Sequence, residues 1–228
     1  MTAETTVPVG DFLITTIVTG SKWVENCYLV FHSLSGEQVL IDPGGNADAI
    51  VQAILDSGGR LNHILLTHAH HDHVGAVAAV CRRFNLSCAV HKNDMRLLRH
   101  APLYALRFAR QEIEQPEPFV VFDGQPGFDL GKQRILVIDA PGHTAGSVCY
   151  RFEGFVFTGD TLLRQHVGRT DLPGGDGAQL KHSIDLLLTG LPEDTTLFPG
   201  HGRPWTIGEA RVWWQKAAAA PPAYNQFE

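Results

Sequence analysis

The stretch THAHHDHVGA, residues 67–76, sets four histidines and an aspartate between His68 and His73. It follows directly on the apolar run NHILL, residues 62–66. Side chains two apart on an extended chain point to the same side, so His68 and His70 can face one metal ion. Asp72 and His73 come where the chain turns into a helix, placed to reach a second ion. His71 lies between these donors and is expected to point elsewhere, as a solvated side chain or a support for its neighbours. Imidazole nitrogen and carboxylate oxygen are zinc ligands, and a catalytic zinc site keeps one position open for water. A histidine-rich surface turn is the competing reading. The apolar strand in front of the cluster counts against it.

If residues 67–76 are half of a site, the other half consists of single His or Asp residues in loops after strands. Three fit. His143 lies in APGHTAGS (140–147), Asp160 in FTGDTL (157–162) and His201 in LFPGHG (197–202). Each follows a strand-like run, and the neighbouring glycines permit unusual backbone paths. Loops at strand ends are where α/β proteins keep their sites. Singly, each residue suits a turn. Jointly with the cluster they supply donors enough for two ions.

The surrounding sequence alternates strands and helices. DFLITTIV (11–18), NCYLVFH (26–32) and EQVLIDPGG (37–45) read as strands. NADAIVQAILDSGG (46–59) reads as a helix with Asn46 as N-cap, Ile50, Ile54 and Leu55 on its apolar face, and Gly58–Gly59 as the stop. NHILLTH (62–68) and LSCAVH (86–91) are strands around the helix VGAVAAVCRRF (74–84). Residues 93–116 form a more polar, mostly helical excursion interrupted at Pro102. Strands return at QRILVIDAPG (133–142), SVCYRF (147–152), GFVFTGD (154–160) and TTLFPGHG (195–202), with a helix at GAQLKHSIDLLLTG (177–190). TIGEARVWWQKAAAA (206–220) is a closing helix docked through Val212, Trp213 and Trp214, and residues 221–228 are an irregular tail. Two strand groups, each with helices, imply an α/β fold: a four-layer αββα sandwich of two mixed β-sheets flanked by helices. One domain is expected over residues 1–228.

Composition narrows the function. Hydrophobic residues make up 44% of the 228 and charged residues 18%, enough for a sizeable core. A net charge of -6 disfavours a nucleic-acid surface, which needs a basic patch. No stretch is long and apolar enough to span a membrane, and no basic-plus-apolar leader stands at the N-terminus, so a cytoplasmic location is expected. Cys27, Cys81, Cys88 and Cys149 form no CxxC and are expected to be reduced and buried. The sequence sets no oligomeric state.

The order HxHxDH (68–73), PGHT (141–144), TGD (158–160) and PGHG (199–202) resembles the metallo-β-lactamase-fold hydrolases, over nearly the whole chain from LIDPG (40–44) onward. The resemblance implies one ion on His68, His70 and His143, a second on Asp72, His73 and His201, and Asp160 bridging them. Asp42 would orient a ligand imidazole from behind. The implied cofactors are two divalent ions, zinc first, with iron or manganese as alternatives. GRTDLPGGD (168–176) and PGHGRPWTIGEAR (199–211) resemble small single-domain glyoxalase II-like thioesterases. Classical glyoxalase II has a further helical domain carrying glutathione contacts, whereas one helix and a short tail follow His201 here. The implied reaction is attack of a metal-bridging hydroxide on a small-molecule thioester, S-(2-hydroxyacyl)glutathione, with Asp72 or the bridging water handling the remaining proton. Arg169 either meets a substrate carboxylate or pairs with Asp171. One alternative is a persulfide dioxygenase acting on glutathione persulfide, with a single Fe(II) on His68, His143 and Asp160. Another is lactone or ester hydrolysis on the same metal core.

Overall fold

The computed structural model describes residues 4–20 and 24–217. The first half of the chain builds a seven-stranded sheet whose spatial order is its chain order: β1 (Glu4–Val9), β2 (Phe12–Thr19), β3 (Glu25–His32), β4 (Glu37–Ile41), β5 (Arg60–Leu65), β6 (Cys88–His91) and β7 (Phe119–Phe122). Strands β1 to β4 are an antiparallel meander, and β4 to β7 run parallel. Parallel neighbours need crossovers. These are α1 (Ala47–Asp56), the pair α2 (His71–Val74) and α3 (Val77–Phe84), and α4 (Met95–Tyr104). The second half adds β8 (Gly127–Leu130), β9 (Gln133–Asp139), β10 (Val148–Phe152) and β11 (Phe155–Gly159), then a short hairpin, β12 (Leu162–Leu163) with β13 (His166–Val167). Helix α5 (Gly177–Gly190), β14 (Thr196–Pro199), β15 (Trp205–Thr206) and α6 (Ile207–Ala217) follow. The second sheet is ordered β15-β14-β11-β10-β9-β8.

Strand alternation makes the layers. On β3, Tyr28 and Val30 face the second sheet while Cys27 and Leu29 face helices. On β10, Val148, Tyr150 and Phe152 face the first sheet while Cys149 faces helices. The space between the sheets is filled by a cluster rich in aromatic rings, including Phe155, Phe157 and Phe198. Ile50 and Ile54 of α1, Val77 and Val80 of α3 and Leu98 of α4 cover the first sheet. Leu180, Ile184 and Leu187 of α5 and Ile207 of α6 cover the second. The result is the expected four-layer αββα arrangement. All four cysteines are free and buried. Among the described residues, no helix is long and apolar enough to cross a membrane.

Strand direction places the site. β4, β5 and β6 are parallel, so Asp42, residues 67–73 and Asp94 leave the first sheet at one edge. On the second sheet β10 is antiparallel to β9 and β11, and β14 is parallel to β11. The loops carrying His143, Asp160 and His201 therefore share an edge too. Ligand sites in open α/β sheets lie outside such carboxyl ends. Cross-sheet bonds bring the two edges together: Val148 N donates to Thr67 O at 2.9 Å, Asn26 N to Gly200 O at 2.8 Å, and Tyr150 Oη to Leu66 O at 2.8 Å.

Several local expectations are corrected. Asn46 occupies the cap position of α1 but in the left-handed conformation (φ 53°), and its side chain makes no capping hydrogen bond. Its backbone carbonyl accepts from Ala49 N and Ile50 N instead. Leu55 is 46% exposed, whereas Ile50 and Ile54 are buried. Ile54→Val is therefore expected to lower the unfolding free energy by about 1 kcal/mol, and Leu55→Ala to change it by less than about 0.5 kcal/mol, read as denaturant midpoints.

Pro102 lies inside α4 without interrupting it. Its missing N–H leaves the Leu98 carbonyl without a helical donor, and Gln115 Nε2 approaches that oxygen at 3.4 Å. The helical part of the excursion ends with a π-helical turn at Ala105–Ala109, and Arg110 follows in the left-handed region. On α6, Trp214 Nε1 donates to Asp185 Oδ1 at 2.7 Å and Trp213 packs on Trp205, but Val212 is 57% exposed. The expectations for residues 218–220 and for the tail 221–228 lie outside the described residues.

Candidate metal centre

The two sheet edges bring together every residue the sequence singled out as a donor. The ligand atoms of His68, His70 and His143 lie within 4.8 Å of one another, and so do those of Asp72, His73 and His201. Asp160 stands between the sets. Its Oδ2 is 3.6 Å from His143 Nε2 and 3.4 Å from His201 Nε2, and its Oδ1 is 3.5 Å from His73 Nε2. Gly200 permits this approach, since a Cβ there would stand 2.3 Å from Asp160 Oδ1 and 2.7 Å from His73 Cε1.

Hydrogen bonds behind the rings fix which nitrogen faces inward. His143 Nδ1 meets Arg169 O at 2.8 Å and His201 Nδ1 meets Val24 O at 2.6 Å. A carbonyl only accepts, so both Nδ1 atoms carry a proton and each Nε2 is turned toward the centre. His73 Nδ1 faces Asp42 Oδ2 at 3.0 Å. Thr67 Oγ1 gives its proton to Asp42 Oδ2 and accepts from His68 Nδ1 at 3.1 Å. Asp42 Oδ1 also accepts from Thr67 N at 2.7 Å. A third donor group, Asp42 with His68 and His73, is as close-knit. The Asp42 carboxylate is already engaged by Thr67 and His73, which marks it as a support for the rings.

Those bonds leave an inner surface suited to cations. His68 Nε2 is buried with no hydrogen-bond partner, as is Asp160 Oδ1. His70 Nδ1 and His143 Nε2 are close enough to hydrogen-bond, at 2.8 Å, and both lie within 4.8 Å of a ligand nitrogen of His68. Buried polar atoms without partners are costly. Converging imidazole nitrogens and a carboxylate are what a zinc- or iron-type ion accepts. The donor set fits the group.

The two halves differ electrostatically. Burial holds His68 well below the usual imidazole range, and burial with His143 nearby lowers His70 to about 3. Burial lowers His143 as well. Burial pulls equally on His73, but Asp160, the Asp42 hydrogen bond and Asp72 outweigh it and raise that ring well above its ordinary value. His201 is likewise pulled down by burial, yet Asp160 and Asp72 push it up to about 9. Burial would raise Asp72 and Asp160, but the facing imidazoles keep both carboxyls below their ordinary range.

His71 is not in either donor set. It is largely buried rather than solvated, and its Nδ1 lies 3.5 Å from Asp72 Oδ1. Arg169 is clamped bidentately on Asp171, both bonds at 2.7 Å, while its backbone carbonyl holds His143. Sequence reading passed over Asn26, Thr67 and Asp94. Asn26 Nδ2 donates to Pro199 O at 3.0 Å and Gly202 O at 2.8 Å, clamping the His201 loop. Asp94 is buried and accepts from the loops of His70 and His143. No spacing rule marks these residues, because their partners lie far along the chain: Asp42 for Thr67, Pro199 and Gly202 for Asn26, Ala69 and Gly146 for Asp94. The one visible signal is a polar residue next to apolar strands.

Residues 20–201 match the family described as the Metallo-beta-lactamase superfamily. The chain belongs to this superfamily. It is 32% identical to the hydroxyacylglutathione hydrolase GloC of Haemophilus influenzae, over 86% of this chain and 93% of that protein. Among solved structures it resembles TTHA1623 in a di-iron-bound form, with 35% identity, TM-score 0.76, and coverage of 92% of this chain and 99% of the other. It also resembles ETHE1 from Myxococcus xanthus, with 26% identity, TM-score 0.71, and coverage of 87% and 81%. Superfamily membership agrees with the two mixed sheets, the outer helices and the His/Asp groups at their joined edges.

Proposed function

We propose that this superfamily member is a hydrolase with two divalent ions that cleaves thioesters of the S-(2-hydroxyacyl)glutathione class. His68, His70 and His143 would hold the first ion, and Asp72, His73 and His201 the second, with Asp160 shared between them. Asp42 would orient His73 from behind. The observation that carries the reading is the convergence of these two donor sets on the Asp160 carboxylate. Bound there, two such ions supply a water acidic enough to give hydroxide near neutral pH and a Lewis acid for the acyl carbonyl.

The chain's own residues do the rest. Asp72, kept ionised by His73 and His201, would use the carboxylate oxygen not given to the ion to accept a hydrogen bond from a metal-held water and take up its proton. The buried faces of His68 and His143 keep bulk water from the opposite side. A thiolate leaves without a strong acid, so no further proton donor is needed. For Arg169 to bind a substrate carboxylate, its pairing with Asp171 must open; its planar fork suits either partner. The thioester class is supported by the likeness to GloC. Metal-loaded protein is expected to hydrolyse an S-(2-hydroxyacyl)glutathione with kcat/KM of at least about 10⁴ M⁻¹s⁻¹. Turnover of lactones or oxygen esters without thioester turnover would overturn the substrate assignment.

A second reading keeps the persulfide dioxygenase that the sequence resemblance offers, a single Fe(II) on His68, His143 and Asp160 acting on glutathione persulfide; the di-iron-bound form of TTHA1623 supports iron as a metal for such a site. Against it stands the complete second donor set. Oxygen uptake on the persulfide, with one iron per chain, would decide for it.

The electrostatic asymmetry gives a further test. Near pH 7 the lowered rings of the first set are neutral, whereas the raised His73–His201 pair holds excess protons. Ligands must be deprotonated to bind. Loading both ions should release at least one proton, drawn from the His73–His201 pair. Affinity for the second ion should rise with pH toward about 9, more steeply than that for the first. Calorimetry in two buffers of different ionisation enthalpy reads this directly.

A further inference from the structure

We infer that Asp94 is the positioning residue that sets the distance between the two halves of the first donor set. The inference rests on the metal reading proposed above. Neither half of that set is held by its own loop alone. His68 and His70 come from the first sheet and His143 from the second. The Asp94 carboxylate, 1% exposed, lies at the seam between them. Its Oδ2 accepts from Ala69 N, between His68 and His70, at 3.0 Å. The same oxygen accepts from Thr144 Oγ1, next to His143, at 2.8 Å. Its Oδ1 accepts from Gly146 N at 2.8 Å.

This arrangement explains the rest of the HTAGS segment, whose histidine alone has a part in the chemistry. Thr144 supplies a donor to Asp94, and Ser147 Oγ accepts from Thr144 N at 3.0 Å, closing the loop. Gly146 allows the carboxylate to reach the backbone, because a Cβ there would stand 2.7 Å from Asp94 Oδ1 and Cγ. A buried carboxylate with three donors is a rigid strut. Asp94 bonds to the loops and to no inward-facing ring nitrogen; its charge is also felt at His143, which is why a variant that keeps the charge is needed in the test.

The test isolates each ion. In a His201→Ala background only the first donor set is complete, and in a His143→Ala background only the second. Zn(II) affinity is measured in both by competition with a chromophoric chelator. Asp94→Asn, which turns an amide N–H toward existing donors, should weaken Zn(II) binding between about ten- and a hundredfold in the first background. In the second background the change should stay below about threefold. Gly146→Ala, which leaves the charge in place, should give the same one-sided loss, and Thr144→Val a smaller one. These two variants answer the question if Asp94→Asn fails to fold. Equal losses in both backgrounds, or none in either, would overturn the inference while leaving the two-ion reading intact. A parent chain that binds fewer than two Zn(II) ions would overturn that reading and this inference with it.

Discussion

Asp160→Ala is expected to lower kcat/KM for thioester hydrolysis by at least about a thousandfold, or about 4 kcal/mol of transition-state stabilisation. The carboxylate faces His143 and His201 with one oxygen and His73 with the other. It faces His143 of the first donor set and His73 and His201 of the second. Without it, His143 and His201 lose the anion they share, and His73 and His201 lose the main interaction that opposes their burial. Asp160→Asn keeps the volume but not the charge, and should lose nearly as much. Circular dichroism matching the parent would show that the loss lies in the site. Activity within tenfold of the parent would refute the bridging role.

The second large effect is on stability. Metal removal with a chelator should lower the melting temperature by roughly 10 °C, since a ligand at a thousand times its dissociation constant stabilises the native state by about 4 kcal/mol and each kcal/mol moves a chain of this size by about 2–4 °C. The site residues explain the sensitivity. Without cations, His68 Nε2 is left buried with no hydrogen-bond partner, and the converging imidazoles lose the charge that draws them together. Calorimetry with and without stoichiometric Zn(II) checks this, and an unchanged melting temperature would contradict it.

Much of the centre was legible because its donors sit in short, ordered motifs. His68 to His73 follow a strand of clear apolar character, and His143, Asp160 and His201 each close a strand beside glycine. The layers were legible too, since the strands fall into two groups along the chain, each with helices nearby. Other features were not. β1 (Glu4–Val9) has an exposed, threonine-rich pattern with little apolar alternation, and β7 (Phe119–Phe122) and β8 (Gly127–Leu130) are short edge strands. Pro102 read as a break because propensity carries no knowledge of Gln115, which covers the carbonyl the proline leaves bare. Asn26 and Asp94 escaped because their partners lie far along the chain: Pro199 and Gly202 for one, Ala69, Thr144 and Gly146 for the other. Arg169 was left between two roles, and the pairing with Asp171 is the one the side chains adopt.

The most direct measurement is the number of divalent ions held per chain, counted by native mass spectrometry after loading with Zn(II). Two converging donor sets predict two ions in the parent, one in His143→Ala and one in His201→Ala. A parent that holds a single ion, and keeps it unchanged in His201→Ala, would contradict the two-ion centre.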